Sequence, residues 1–203
     1  KARAVAADGV LRVEDIQARL YGGLAAGALK VDATRNGGLL PFEGSFRLTD
    51  VGADGLLREL LNWQVPLHGR LSVALRMRGA ADSTLALVDR KLNGGGKAGM
   101  AEGKLVNWDV LKRAGGEVEQ LGFLDLDEVP IRSMVAPFRV QDGRVSVENM
   151  KLTAAGMSAR INGSTGLDGT LDYDLEVDVP ASKLNFGGMN LGGALSSLLG
   201  GAE

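Results

Sequence analysis

The sequence predicts an α+β fold that is mainly β: a curved antiparallel meander sheet, with about three short helices inserted in the middle and packed on its apolar face. Three patterns carry this expectation. Leu171, Tyr173, Leu175, Val177 and Val179 alternate with Asp172, Asp174, Glu176 and Asp178 without a miss, and a strand puts successive side chains on opposite faces. Shorter alternations recur at near-regular spacing between turn residues, as in a meander. In the middle of the chain, three segments switch to a helical period.

Taken in order, Asp8-Gly9 is a turn signal. Leu11 and Val13 alternate with Arg12 and Glu14, then Ile16, Ala18 and Leu20 with Gln17 and Arg19. The phase slips between Val13 and Ile16, which predicts a bulge or short turn at Asp15. Gly22-Gly23 predicts the next turn, Leu29, Val31 and Ala33 the next strand, and Phe46 and Leu48 another. Leu56, Leu57, Leu60 and Leu61 share one face of a short helix over 54–61, with Asp50 or Asp54 as its cap. After Pro66 a strand returns, with Leu71, Val73, Leu75 and Met77 alternating with Ser72, Ala74, Arg76 and Arg78. A second helix is predicted over 83–92, where Leu85, Val88 and Leu92 share a face and Gly94 stops it.

Gly94 to Gly103 reads as a glycine-rich connection containing part of a strand. A third helix, capped by Asn107 or Asp109, would bury Val110, Leu111, Ala114, Val118 and Leu121. Gly115-Gly116 weakens it by about 1 kcal/mol per glycine. Phe138 and Val140, then Asp142-Gly143, then Val145 and Val147 predict a hairpin. Met157, Ala159 and Ile161 form a strand that pairs with the 171–179 ribbon. Residues 181–203 read as a loosely ordered tail, whose end, Leu191 to Gly201, is either a weak amphipathic helix or frayed. No linker divides 1–203, which is expected to be a single domain and, beginning at Lys1, a fragment of a longer chain.

Composition narrows the function. The chain has 203 residues, 45% hydrophobic and 24% charged, which is a globular balance. A chain of this length removes roughly 70% of its unfolded surface from water. The formal charge is -2 and no basic cluster stands out along the sequence, so nucleic acid is not an expected partner. With no cysteine, disulfides and thiolate metal sites are excluded.

Catalytic constellations are sought with little return. Gly94, Gly96 and Gly99 match GxGxxG, but a dinucleotide loop needs a strand before it and a helix after it. His68 is the sole histidine and reads as a loop residue before a strand; bases and zinc ligands normally work in sets. Asp125, Asp127 and Glu128 lack the spacing of a calcium loop. The acidic ladder from Asp172 to Asp178 reads as a solvated face, or as one paired with cations such as Arg76 and Arg78 on a neighbouring strand. Trp63 and Trp108 read as core anchors. No enzyme, metal or cofactor is expected.

Several segments together resemble the C-terminal region of the AsmA family of bacterial envelope proteins. They are Ala18-Arg19-Leu20-Tyr21-Gly22-Gly23 with Gly27-x-Leu29-x-Val31-Asp32; Leu92-Asn93-Gly94-x-Gly96 with Glu102-Gly103-Lys104-Leu105; Phe138-x-Val140-x-Asp142-Gly143-Arg144-Val145; and Gly166-Leu167-Asp168-Gly169-Thr170-Leu171-Asp172-Tyr173, closing at Val179-Pro180. The set runs in order over most of the chain. The resemblance implies a periplasmic module of a protein tethered to the inner membrane by a segment absent from this chain. It implies a role in outer-membrane biogenesis, with phospholipid carried along a β-sheet groove. The candidate lipid-facing residues are Leu71, Val73, Leu75, Met77, Leu171, Tyr173, Leu175 and Val177. The alternative is a structural domain that caps or extends a β-sheet and binds another envelope protein without touching lipid.

Overall fold

Ten strands lie side by side in one antiparallel sheet, in the order in which the chain makes them. The computed structural model describes residues 1–34, 38–61, 67–82, 84, 86–106, 128–166, 170–178, 180, 185–186 and 189–190. The strands are β1 (Arg3–Ala7), β2 (Val10–Leu20), β3 (Gly23–Asp32), β4 (Leu39–Gly52), β5 (Leu67–Asp82), β6 (Asn93–Val106), β7 (Glu128–Gln141), β8 (Arg144–Ala154), β9 (Met157–Gly166) and β10 (Leu171–Asp178). A short pair, β11 (Asn185–Phe186) and β12 (Met189–Asn190), forms a second sheet.

The hairpins follow from local chemistry. Asp8-Gly9 and Asp142-Gly143 both take φ of 50° and 75°, the paired positive values of a type I′ turn, whose twist matches that of the flanking strands. Tyr21-Gly22 and Ala155-Gly156 do the same. The second turn is thus centred one residue earlier than Gly22-Gly23. Gly23 instead starts β3, where a Cβ would lie 2.3 Å from the Asp50 carbonyl oxygen.

Bulges punctuate the strands. The register slips between Val13 and Ile16, where Asp15 has φ 53°, as its sequence phase predicts. Matching slips fall beside Asp50 on β4 and Asn149 on β8, both with positive φ. Asp and Asn tolerate this conformation better than most residues, and each bulge bends its strand and adds local twist.

Among the described residues there is one α-helix, α1 (Ala53–Leu61), as the leucine spacing over 54–61 predicts. The 83–92 helix does not form: the described part carries a bridge between Ala81 and Leu87 and a single 3-10 turn, Asp89–Lys91. Asp82 is the physical reason. Its carboxylate accepts from the Thr84 and Ala86 backbone N–H groups and from the Thr84 hydroxyl, which satisfies them in a turn rather than in a helix. Gly94 to Gly103 is also not a connection but the body of β6. The proposed third helix, Trp63, Trp108, Asp125, Asp127 and most of the 181–203 tail lie outside the described residues.

The core gathers at one end of the strands. Val51, Ala53 and Leu56 pack with Leu48, Leu67, Leu71, Val73, Met100, Leu105, Val129, Ile131, Met134, Leu152 and Ala154. Tyr21 fastens α1 to the sheet: its ring lies against Gly55 and its hydroxyl donates to Glu59 at 2.9 Å. At the other end Leu92 lies against Gly79 of β5.

Candidate functional site: an apolar strip across the sheet

Register places every predicted lipid-facing residue on the same side of the sheet. Directly opposed residues point to one face. One row therefore runs Ile16, Gly27, Phe46, Leu75, Gly96, Phe138, Val147, Gly163 and Tyr173, from β2 to β10. The next runs Val13, Leu29, Gly44, Met77, Gly94, Val140, Val145, Thr165 and Leu171. Apart from Thr165, both rows carry only apolar side chains and glycine. Thr165 is buried, and its hydroxyl is hydrogen-bonded to that of Tyr173 at 2.8 Å.

The eight predicted residues divide by position along this face. Leu71 (3% exposed) and Val73 sit in the core beside α1. Packed against protein, these two are not open to a lipid. Leu75 and Met77, further along β5, are half-buried. Tyr173, Leu175 and Val177 on β10 are 43%, 47% and 42% exposed. Leu171 pairs with Thr165 of β9.

Sequence reasoning did not include Phe46, Phe138, Val140, Val145, Val147 and Ile161 in the strip, although all are half-buried on it. Their alternation marked them as strand residues. Only the strand order, which a single strand's pattern does not encode, puts them beside Leu75.

The aromatic rings lie over the glycines. Cβ atoms built on Gly27 and Gly44 would meet the Phe46 ring at 2.6 and 2.8 Å, and one on Gly163 would meet the Tyr173 ring at 2.5 Å. On β6 the obstacle is backbone: Cβ atoms on Gly94 and Gly96 would lie 2.4 and 2.1 Å from the Arg76 and Ala74 carbonyl oxygens of β5. Gly94 and Gly96 of the GxGxxG match thus serve close strand approach inside a sheet, while a Cβ on Gly99 would come no closer than 3.7 Å to the Met134 carbonyl oxygen, an ordinary contact. Among the described residues no α-helix starts at these glycines.

The opposite face is mostly polar, with Leu24 and Val135 as exposed apolar side chains on it. His68 lies exposed within β5, opposite Lys104, and not in a loop. The acidic ladder of β10 lies at the sheet edge beside β9, and Glu176 pairs with Arg160 at 3.5 Å. Arg76 and Arg78 are on β5 and pair with β4 and β6, so they are not the ladder's neighbours. Glu128 pairs with Lys104 at 3.0 Å. Among the described residues no three His, Cys, Asp or Glu side chains converge as a metal set, and no helix is long and apolar enough to cross a membrane.

One polar knot fixes the α1 end. Arg70 donates from Nε and Nη2 to the two Asp50 carboxylate oxygens, both at 3.0 Å, and from Nη2 to the Gly22 carbonyl at 3.0 Å. The Arg70 hydrogen bond holds the Asp50 carboxyl below its ordinary value. It joins the β2–β3 turn, the β4 bulge and β5.

No family model, curated protein or solved structure matches the chain. What the strip does is therefore argued from its own chemistry.

Proposed function

We propose that this chain is a non-enzymatic, AsmA-like module of the bacterial envelope that seats phospholipid acyl chains on its apolar sheet face. The observation that carries this reading is the unbroken apolar strip from β2 to β10, for which the described residues offer one short helix, against β4 and β5, and a 3-10 turn as cover. A half-buried apolar surface of that extent with so little cover is uncommon unless it binds something. In this reading the sheet curls toward the strip. Ala25, Ala98 and Ala136 on that face are shielded while Ala26 and Ala74 on the other are exposed; Ala18 on that face is exposed and Ala28 on the other is half-buried. Glycines at the strip's closest strand approaches remove the Cβ atoms that curling would crush together. Acyl chains laid across the strands would meet Leu75, Met77, Phe138 and Tyr173, with headgroups left in water.

The test is lipid analysis of the purified protein combined with photo-crosslinking. Crosslinkers replacing Leu75, Met77 and Tyr173 should capture phospholipid, and one replacing Ala74 on the opposite face should not. Absence of copurifying lipid, together with no lipid adduct at any strip position, would sink the reading.

A second reading is favoured by β10. It is an edge strand of eight residues with three exposed apolar side chains, and such edges accept further strands. Here the module extends a longer sheet or docks on another envelope protein. Crosslinks from Tyr173 or Val177 to protein, without lipid adducts at Leu75, distinguish it.

A further inference from the structure

Sequence order scatters the chain's cations, and the sheet gathers them. Arg12, Lys30 and Arg78 fall in one row on the polar face, and Arg76 and Arg139 in the adjacent row with only Gly95 between them. These five residues line a shallow depression of about 690 Å³, with Glu14 and Glu43 as its carboxylates. Positions of both polar rows line it, together with Val13, Leu29, Gly44, Met77, Gly94 and Val140 of the strip row that runs between them, and none of Phe46, Leu75 and Phe138 does. Two polar rows flanking one strip row put the opening on the face that carries the arginines, with the strip row contributing the backbone of its floor.

The charge there is unbalanced. Lys30 pairs with Glu43 at 3.1 Å. Among the described residues no ion pair engages Arg12, Arg76, Arg78 or Arg139. Five cations against two carboxylates leave a surplus of three, on a chain whose net charge is -2. Like charges set together on one sheet face destabilise it, so folding alone does not account for the arrangement.

We propose that this depression binds an anion bearing more than one phosphate group. Guanidinium is a planar fork that takes phosphate oxygens in pairs. Arg76 and Arg78 start ~7 Å apart along one strand, and Arg139 starts ~10 Å away across two strand spacings. A single phosphate does not fill such a spread of donors, whereas two linked phosphates do. Ala28 and Ser45 keep the floor low, leaving room for the ligand between the arginines. The site lies on the other face from the proposed acyl surface, and stands or falls separately from it.

Isothermal titration with inorganic pyrophosphate tests the proposal on three proteins: the wild type, Arg76→Gln/Arg139→Gln, and Lys104→Gln, which removes a cation already paired with Glu128. The wild type should bind, more weakly as salt rises. The double variant should lose about tenfold or more, as expected when charge-assisted hydrogen bonds are removed, and Lys104→Gln should bind as the wild type does. Thermal melts of the double variant should be unchanged or higher, because repulsion is relieved. Flotation with phosphatidylcholine vesicles, with and without cardiolipin, whose headgroup carries two phosphates, identifies the source. Binding to the cardiolipin vesicles that pyrophosphate displaces assigns a lipid headgroup, and titration heat without flotation assigns a free phosphate compound. No pyrophosphate binding by the wild type, or equal affinity in the double variant, overturns the proposal.

Discussion

Asp50 sits in the left-handed region, φ 55°, and its carboxylate holds Arg70 with two hydrogen bonds. Its folded pKa lies below the ordinary value, so the contact stabilises the protein at neutral pH. That contribution is lost as the pH falls from the ordinary carboxylate value through the lowered folded one. Asp50→Asn should therefore lower the melting temperature at pH 7, and the gap from the wild type should close at acid pH. A gap that persists at acid pH would show that the carboxylate charge is not what matters. The same knot constrains Gly23, whose Cβ would strike the Asp50 carbonyl. Gly23→Ala should cost at least about 1–3 kcal/mol through forced displacement of a backbone that cannot yield cheaply, measured by denaturant unfolding. These two positions give a physical account of Tyr-Gly-Gly: a left-handed tyrosine anchored to α1, a left-handed glycine, and a glycine pressed against the β4 bulge.

At the scale of elements, α1 is a cap on one end of the core. Leu56 is buried within that cluster, so Leu56→Ala should destabilise by about 2–5 kcal/mol. If the cap is independent of the strip, crosslinking at Met77 should survive the change under conditions where the variant stays folded. The elements also separate what a sequence can and cannot disclose. β10 was legible because one face is apolar and the other uniformly charged. α1 was legible because its leucines recur at a helical period. The 83–92 segment carried the same signal, but the Asp82 side chain captured the amides a first helical turn would use. β6 was obscured by its own glycines, which usually mark loops. Here Gly94 and Gly96 lie where β5 carbonyls leave no room for a side chain, and Gly95 where a β7 carbonyl does the same; that requirement belongs to the neighbouring strands.

Across the whole molecule, strand order decides which residues meet. Leu71 and Leu75 have the same place in an alternating pattern, yet one is sealed beside α1 and the other is half-open. Their difference is position along β5 relative to a helix that alternation does not locate. The basic depression was equally illegible, because Arg12, Arg76, Arg78 and Arg139 are far apart until β2, β5 and β7 are laid in one sheet. The sheet is open, and its β10 edge is guarded by four outward carboxylates, Asp172, Asp174, Glu176 and Asp178. Charge on an edge strand discourages self-pairing. Asp174→Asn combined with Asp178→Asn should promote self-association, seen as a concentration-dependent rise in sedimentation coefficient, while Arg160→Gln should not.

Because spatial order repeats chain order, each strand depends on the one before it and the one after, and on little else. The molecule is close to a one-dimensional array of hairpins, in which stability accrues by adjacent pairs and no contact must wait for a distant partner to arrive. Such an array has no fixed width. Inserting or deleting a hairpin lengthens or shortens the strip by about 10 Å, two strand spacings, and leaves the rest of the sheet intact. The reach of the apolar surface is thus set by the number of hairpins, a quantity that gene duplication can adjust without redesigning a core.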